Sequence, residues 1–370
     1  MYNGNGKINI QAEMLANRLQ KRFRHLKKWA QRTGTGVFRL YDRDIPEIPI
    51  VLDYYGDIAN LQEAALAGAL YKRPYEKDDA EEEYWLSAMK DSAAAALGIE
   101  PSHVFLKQRK RQRGISQYEK MGEARFVKNV NEGGLVFKVN LSDYLDTGLF
   151  PDRRLLRSII RSEASGKKIL NLFSYTGSFS VYAAAGGAKS TNSIDLSNTY
   201  LLWAGENFLL NGFKAQMFPR KEDFFSAGEN YTKCTHRLIR ADVLKFVETA
   251  VSAKLRWDII VIDPPAFSNS KKMTDNFDLQ RDITELLKKC CLLLAPEGKI
   301  FLSVNSRRSG ITAAQMETEL LPCEKNVKIT DISDKTTDED FKGKKTPKAF
   351  LISVCPQSRL LCGQTLYFLA

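Results

Sequence analysis

The chain has 370 residues and 44% hydrophobic content, too long for one average domain, suited to two, and too apolar for a disordered polymer. It carries 55 basic against 44 acidic side chains, and a net charge of +11 points to an anionic partner, most simply nucleic acid. No apolar run reaches the ~18 residues of a membrane span, and the opening stretch MYNGNGKINIQAE has neither the apolar core nor the cleavage site of a secretory signal.

Residues 1–13 read as a flexible leader. From Met14 to Arg32, Leu15, Leu19, Phe23, Leu26 and Ala30 recur at helical spacing. Arg18, Lys21, Arg22, Arg24, Lys27, Lys28 and Arg32 fill the other faces with no acid among them. Without acids at i±4 that surface cannot neutralise itself locally, so it is expected to meet phosphate. Short apolar runs over 37–70 predict strands of a small mixed sheet, and Asp79–Leu97 reads as an amphipathic helix stopped by Gly98. The run VFLKQRKRQR then leads a strand into bases that include Lys107, Arg109 and Arg111. A hairpin turning at Gly133-Gly134 closes an α+β domain over 14–140, expected to face RNA.

A Rossmann-like α/β domain is expected over 141–370. The segment LSDYLDTGLFPDRRLLRSII leads into it, with a helix starting near Pro151 and holding Asp152 and Arg153 in its first turn. The organising stretch is 168–197: a buried strand (Ile169 to Phe173), a tight turn closing on Gly177, a small-residue helix, and a strand ending at Asp195. An acid there can accept hydrogen bonds from both ribose hydroxyls of an adenosine. Phe173 and Tyr175 stand where a dinucleotide fold needs glycines, so the turn has little room for a pyrophosphate. A ligand with adenosine but no phosphates fits better, and S-adenosylmethionine is the common one. A helix over NTYLLWAGENFLLNG follows, residues 213–236 read as a long loop, and RLIRAD ends at Asp242, placed to meet an adenine amino group. WDIIVID then runs into DPPAF, and after a further helix KIFLSVNS ends near Asn305. Asp195, Asp242 and Asp263 thus end three successive strands and would face one crevice.

Asp-Pro-Pro-aromatic after an apolar strand, downstream of an adenosine site, signals methyl transfer to a base. Consecutive prolines fix φ and leave a wall of carbonyl acceptors at Pro264, and the ring of Phe267 can stack on a flat base. The six cysteines (234, 290, 291, 323, 355, 362) show no C-x-x-C spacing and the three histidines are scattered, which argues against a metal site and for a reducing, cytoplasmic setting. Methylating C5 of a pyrimidine needs a cysteine nucleophile; none lies in DPPAF or at the end of KIFLSVNS. Guanine N7 needs no base, because its lone pair is free, and Asp263 would offset the cationic product. An exocyclic amine could instead give its hydrogens to the DPPAF acceptors. Residue chemistry leaves N7 and exocyclic nitrogen open and weighs against C5.

The motifs LANRLQKRFRHLKKWA, RLYDRDIPE, QYEKMGE, LSDYLDTGLFPDRR, LNLFSYTGSFSV, GGAKSTNSIDLSNTYLLWAGENFLLNG and IDPPAFSNSKKMTDNFDLQRD resemble one family from about Leu15 to Val354. It is the carboxyl-terminal, N7-guanine methyltransferase half of the bacterial bifunctional 23S rRNA methyltransferase. The resemblance implies a class I S-adenosylmethionine-dependent methyltransferase domain preceded by a small α+β RNA-binding domain. It implies a guanine near the peptidyl-transferase region of 23S rRNA as substrate. The cofactor would be held by Phe150, Asp152, Arg153, Asn171, Phe173, Ser174, Tyr175, Thr176, Gly177, Asp195, Leu196, Asp242 and Asp263. Asp263, Pro264 and Phe267 would hold the guanine, with Asn305 nearby, and Arg18, Arg22, Lys27, Lys107, Arg109, Arg111 and Lys271 would meet RNA. The usual partner half, which methylates an exocyclic guanine amine, is not matched, so the chain reads as a free-standing version that could use a separate partner protein. A sister family makes 5-methylcytosine, and a non-catalytic RNA-binding assembly factor would keep the same fold. The tail after Pro356 matches no motif of the family.

Overall fold

A computed structural model describes residues 3–71, 78–108, 125–227, 235–265, 267–268, 277–305, 310–320 and 327–354. The chain forms two compact units, one of residues 1–151 with 338–344 and one of 152–337 with 345–370.

In the first unit, α1 (Asn3–Thr33) and β1 (Val37–Asp42), β2 (Ile50–Tyr55) and β3 (Ala65–Leu70) precede α2 (Asp79–Leu97) and β4 (Val104–Gln108). The sheet runs β1-β2-β3-β4, antiparallel except for the β3–β4 pair, which α2 connects as a crossover. Asp78 caps α2 by accepting from the Ala80 N–H, and Gly98 ends it at φ +68°. β5 (Val127–Glu132) and β6 (Leu135–Asn140) form a hairpin whose turn glycines, Gly133 and Gly134, both have positive φ.

The apolar stripe of α1 is buried as its spacing requires: Leu15, Leu19, Phe23, Leu26 and Ala30 enter the core beneath Phe38 and Tyr54. The flexible leader expected over 1–13 is not found, because α1 starts at Asn3. Ile8 and Ala12 pack against the core, Gln11 is buried and accepts from Trp85 Nε1 at 2.7 Å, and Ser92 Oγ donates to the Ala12 carbonyl at 2.5 Å. The two hydrogen bonds come from α2, 74 and 80 residues later, and leave no local pattern.

The second unit begins with a 3₁₀ turn (Pro151–Arg153) shared across the boundary, then α3 (Arg154–Glu163), β7 (Lys168–Leu172), α4 (Ser178–Ala185), β8 (Ser190–Asp195) and α5 (Asn198–Leu210). β9 (Ala215–Phe218), α6 (Lys221–Ala227), β10 (His236–Arg240), α7 (Val243–Ser252) and β11 (Trp257–Ile262) follow. After a short hairpin of β12 (Phe267–Ser268) and β13 (Phe277–Asp278) come α8 (Leu279–Leu292), β14 (Leu294–Val304), α9 (Ala313–Leu320), β15 (Val327–Asp331), α10 (Ser333–Thr336) and β16 (Lys348–Val354). The sheet order is β15-β16-β14-β11-β7-β8-β10-β9, with β16 antiparallel to both neighbours and the rest parallel. Strand order reverses between β7 and β11, which opens a crevice at their carboxyl ends. Neighbouring residues on a strand serve opposite cores: Leu170, Ile260 and Leu302 face α7 and α8, whereas Ile169, Ile259 and Phe301 face α3 and α4.

The long loop expected over 213–236 instead contains β9 and α6. β9 extends the sheet by pairing parallel to β10, and Phe224 and Phe225 of α6 pack on Phe246 of α7 with ring centroids 5.9 and 5.3 Å apart. An edge strand of four residues with one buried side chain gives too short a pattern to read from sequence.

Gln11→Ala removes the buried amide oxygen that accepts from Trp85 Nε1 and should cost about 1–3 kcal/mol in chemical denaturation. Unchanged stability would show that the start of α1 does not pack as described.

Candidate functional site

The crevice is built by the ends of β7, β8, β10 and β11. Strand register places Phe173, Asp195 and Asp263 at one level, each directly following the paired residues Leu172, Ile194 and Ile262. The turn between β7 and α4 holds Phe173, Tyr175 and Gly177 at φ +57°, +50° and +74°. Left-handed conformations at Phe and Tyr are strained, and such strain is held only where surrounding contacts enforce it. Here the Ser174 N–H donates to the Ile194 carbonyl at 3.0 Å, the Tyr175 N–H to Asp195 Oδ2 at 2.9 Å, and the Gly177 N–H to the Ser174 carbonyl at 2.8 Å. Thr176 is buried, and its carbonyl accepts from Asn207 Nδ2 at 2.9 Å. A Cβ at Gly177 would lie 2.8 Å from Ala204 Cβ, so the turn seats directly on α5.

Asp195 accepts on both oxygens, from Tyr175 N–H and, at 2.8 Å, from Ser197 N–H. Burial nevertheless pushes its pKa up to about 6, against the lowering pull of the Ser197, Tyr175 and Leu196 N–H groups. The Leu196 carbonyl takes a hydrogen bond from Arg240 Nε at 3.3 Å. Beneath the turn, Asn171 Nδ2 donates to Ser180 Oγ at 3.0 Å, and Ser193 Oγ donates to the same hydroxyl at 2.7 Å. Asn171 Oδ1 and Ser174 Oγ are buried without a protein partner among the described residues. Two such groups beside one turn are what a polar ligand would satisfy. Asp242 lies past the end of β10 as the cap of α7, accepting from the Lys245 N–H at 3.1 Å through Oδ1.

Asp263 follows β11, and Arg153 holds it. Arg153 Nε lies 3.2 Å from Asp263 Oδ2, and Nη2 lies 3.2 Å from Oδ1. Arg153 Nη1 donates to Asp152 Oδ2 at 2.7 Å. Burial opposes the charge of Arg153, but Asp152 and Asp263 more than offset it, so its pKa rises above the ordinary arginine value. Asp152 Oδ1 is buried and unpaired among the described residues. The cluster of two carboxylates and one guanidinium carries one net negative charge. Sequence reasoning named all three residues but missed their pairing, since 110 positions separate Arg153 from Asp263 and neither segment signals the other.

Pro264 is buried beside Asp263, and Asn305 is exposed just beyond β14. Phe150 belongs to the first unit and is 37% exposed. The side chain of Phe267, together with Arg109, Arg111, Lys271 and the tail after Pro356, lies outside the described residues. Among the described residues no cluster of metal-ligating side chains forms, and no helix is long and apolar enough to cross a membrane.

The expected basic surface is altered in two places. Arg18 pairs with Asp44 at 2.6 Å, an acid also met by Lys344, and Arg22 Nη2 donates to the main-chain carbonyl of Asp340 at 3.2 Å, so one distant acid opposes Arg18 and a neutral carbonyl ties Arg22 into the fold. Lys107 does not face solvent as a phosphate contact. Its ammonium donates to the Tyr144 carbonyl, and burial lowers its pKa to about 8 despite Asp146 and Asp143. Lys21, Arg24, Lys27, Lys28 and Arg32 remain exposed on α1.

Residues 53–320 match the family described as S-adenosylmethionine-dependent methyltransferase. The chain is 42% identical over 337 residues to ribosomal RNA large subunit methyltransferase K of Neisseria meningitidis serogroup B, covering 91% of this chain and 86% of that protein. It is 40% identical over 332 residues to ribosomal RNA large subunit methyltransferase K/L of Shewanella sp. (strain MR-4), covering 90% of this chain but only 42% of that longer protein. Among solved structures, the methyltransferase SMU.776 complexed with SAH superposes with a TM-score of 0.67 at 25% identity, over 93% of this chain and 82% of that one.

The raised pKa of Asp195 means that the ligand-free folded protein binds this proton more tightly than the unfolded chain does. Its contribution to stability is full below about pH 4 and is lost as pH rises through about 6. Relative to Asp195→Asn, the parent should lose roughly 1–3 kcal/mol between those limits in denaturant titrations. Parallel pH profiles for the two proteins would contradict the strained, buried setting of this carboxylate.

Proposed function

The chain belongs to the S-adenosylmethionine-dependent methyltransferase family, and on that premise we propose that it methylates N7 of a guanine in 23S rRNA near the peptidyl-transferase region. The observation that carries the choice of N7 is the engagement of Asp263 with Arg153.

The turn Asn171–Gly177 and the acids at the strand ends suit the cofactor. Asp195 accepts from the ribose hydroxyls, Asp242 offers its second oxygen to the adenine amino group, and the unpaired Asn171 Oδ1 and Ser174 Oγ are available to polar groups of the ligand. S-adenosylmethionine supplies a methyl group on a sulfonium, whose displacement needs alignment more than acid–base help. Asp263, with both oxygens against a guanidinium, is poorly placed to abstract a proton. Guanine N7 has no proton to lose, so that engagement costs the reaction nothing. Methylation leaves the ring cationic, and the net negative charge of Asp152, Arg153 and Asp263 offsets it. Pro264 and Phe267 are the candidates to hold the flat base. Pyrimidine C5 chemistry finds no support: Cys290 and Cys291 are buried in α8, and burial pushes the Cys290 thiol well above its ordinary pKa. The other cysteines lie outside the described residues and away from the strand-end motifs in sequence.

The relatives named above as ribosomal RNA large subunit methyltransferases support an rRNA substrate and a cytoplasmic setting. The first unit would dock the RNA through the exposed bases of α1, with Arg109, Arg111 and Lys271 as further candidates.

Methyl transfer from labelled S-adenosylmethionine to 23S rRNA, followed by nucleoside analysis, should give 7-methylguanosine that disappears in Asp263→Ala. A 2-methylguanosine or 5-methylcytidine product would replace the N7 reading, and cofactor binding with no transfer to any rRNA would favour a non-catalytic assembly role. Lys27→Ala with Lys28→Ala should weaken RNA binding and reduce the slope of log K against log salt by about 1–2. An unchanged slope would remove α1 from the RNA interface.

A further inference from the structure

We propose that Arg153 is a positioning residue that acts through Asp263 rather than a ligand of the cofactor. The inference rests on the reading of Asp263 as the carboxylate beside the methyl acceptor. Three observations carry it. Arg153 presents its Nε–Nη2 edge to Asp263 and Nη1 to Asp152, so the edge that would grip a ligand carboxylate at two points is already closed by a protein acid. The guanidinium is buried, and it lies at the start of α3, an element that packs on α4 beneath the sheet and is fixed independently of any ligand. The two-point contact sets both the place and the rotation of the Asp263 carboxylate, which the short run from β11 into Pro264 would otherwise leave to a single side-chain torsion. Asp152 completes the arrangement. It holds the far side of the guanidinium and turns what would be a neutral Arg–Asp pair into a cluster with one net negative charge, the charge complementary to a methylated, cationic ring.

The test compares Arg153→Gln, Arg153→Lys, Asp263→Asn and the Arg153→Gln/Asp263→Asn double variant in the full chain. The readouts are kcat and KM with 23S rRNA, and S-adenosylhomocysteine affinity by calorimetry. Arg153→Gln should lower kcat about 10- to 100-fold while changing S-adenosylhomocysteine affinity less than about threefold. Arg153→Lys, which keeps the charge but not the fork, should recover part of the loss. The double variant should be no slower than Asp263→Asn alone within about twofold, because residues acting as one device are not additive. Arg153→Lys keeps a cation between Asp152 and Asp263, so its kcat and S-adenosylhomocysteine affinity carry the comparison if Arg153→Gln fails to fold. A fall in S-adenosylhomocysteine affinity matching the loss of kcat/KM, with kcat retained, would make Arg153 a cofactor ligand and overturn the inference. Independent, multiplying losses in the double variant would overturn it as well. Full turnover in Asp263→Asn would instead overturn the acceptor-site reading beneath it.

Discussion

Two-sided burial of the parallel sheet is the constraint on which the second unit depends. β14, β11, β7, β8 and β10 run in one direction, so each connection must cross a face of the sheet and cover it. Isoleucines and leucines on alternate positions of the same strand therefore serve two separate cores. The polar ends of the strands are the places left uncovered. Reversal of strand order between β7 and β11 separates the connecting segments there, and this is why Asp195 and Asp263 share a crevice although 68 positions of chain divide them.

Within that crevice, the two acids are treated in opposite ways. Asp195 is ringed by backbone N–H groups and has no cationic partner among the described residues, so burial raises its pKa. Neutral donors suit an acid that exchanges hydrogen bonds with hydroxyl groups. Asp263 is held by a full positive charge, itself braced by Asp152. That environment suits an acid whose charge and direction must stay fixed while the charge of a neighbouring ring changes. The difference is set by α3, which brings Arg153 to β11 and not to β8.

The first unit shows how composition can overstate a surface. The stretch from Met14 to Arg32, with seven bases and no acid, looks unopposed in sequence, yet Asp44 and the main chain at Asp340 reach it from distant parts of the chain. Arg18 and Arg22 are consequently tied into the fold, and Lys107 is turned onto a carbonyl. The remaining exposed bases of α1, from Lys21 to Arg32, form a narrower surface than the sequence implies.

Local pattern determined the element boundaries with little error where the signal was strong. Asp78 and Gly98 bracket α2, Gly133-Gly134 turns the hairpin, and Gly177 starts α4, because capping and left-handed turns are short-range physics. The strand–helix rhythm likewise fixed an α/β sheet, and acids at strand ends could be named because strand ends are visible as the limit of apolar runs. Tertiary structure alone decided the partners of those acids. Arg153 meets Asp263 across 110 positions, Gln11 meets Trp85 across 74, and β9 becomes a strand only because β10 offers it an edge. Hydrogen bonds and ion pairs between distant segments depend on packing of the whole core, and no periodicity in the sequence encodes them.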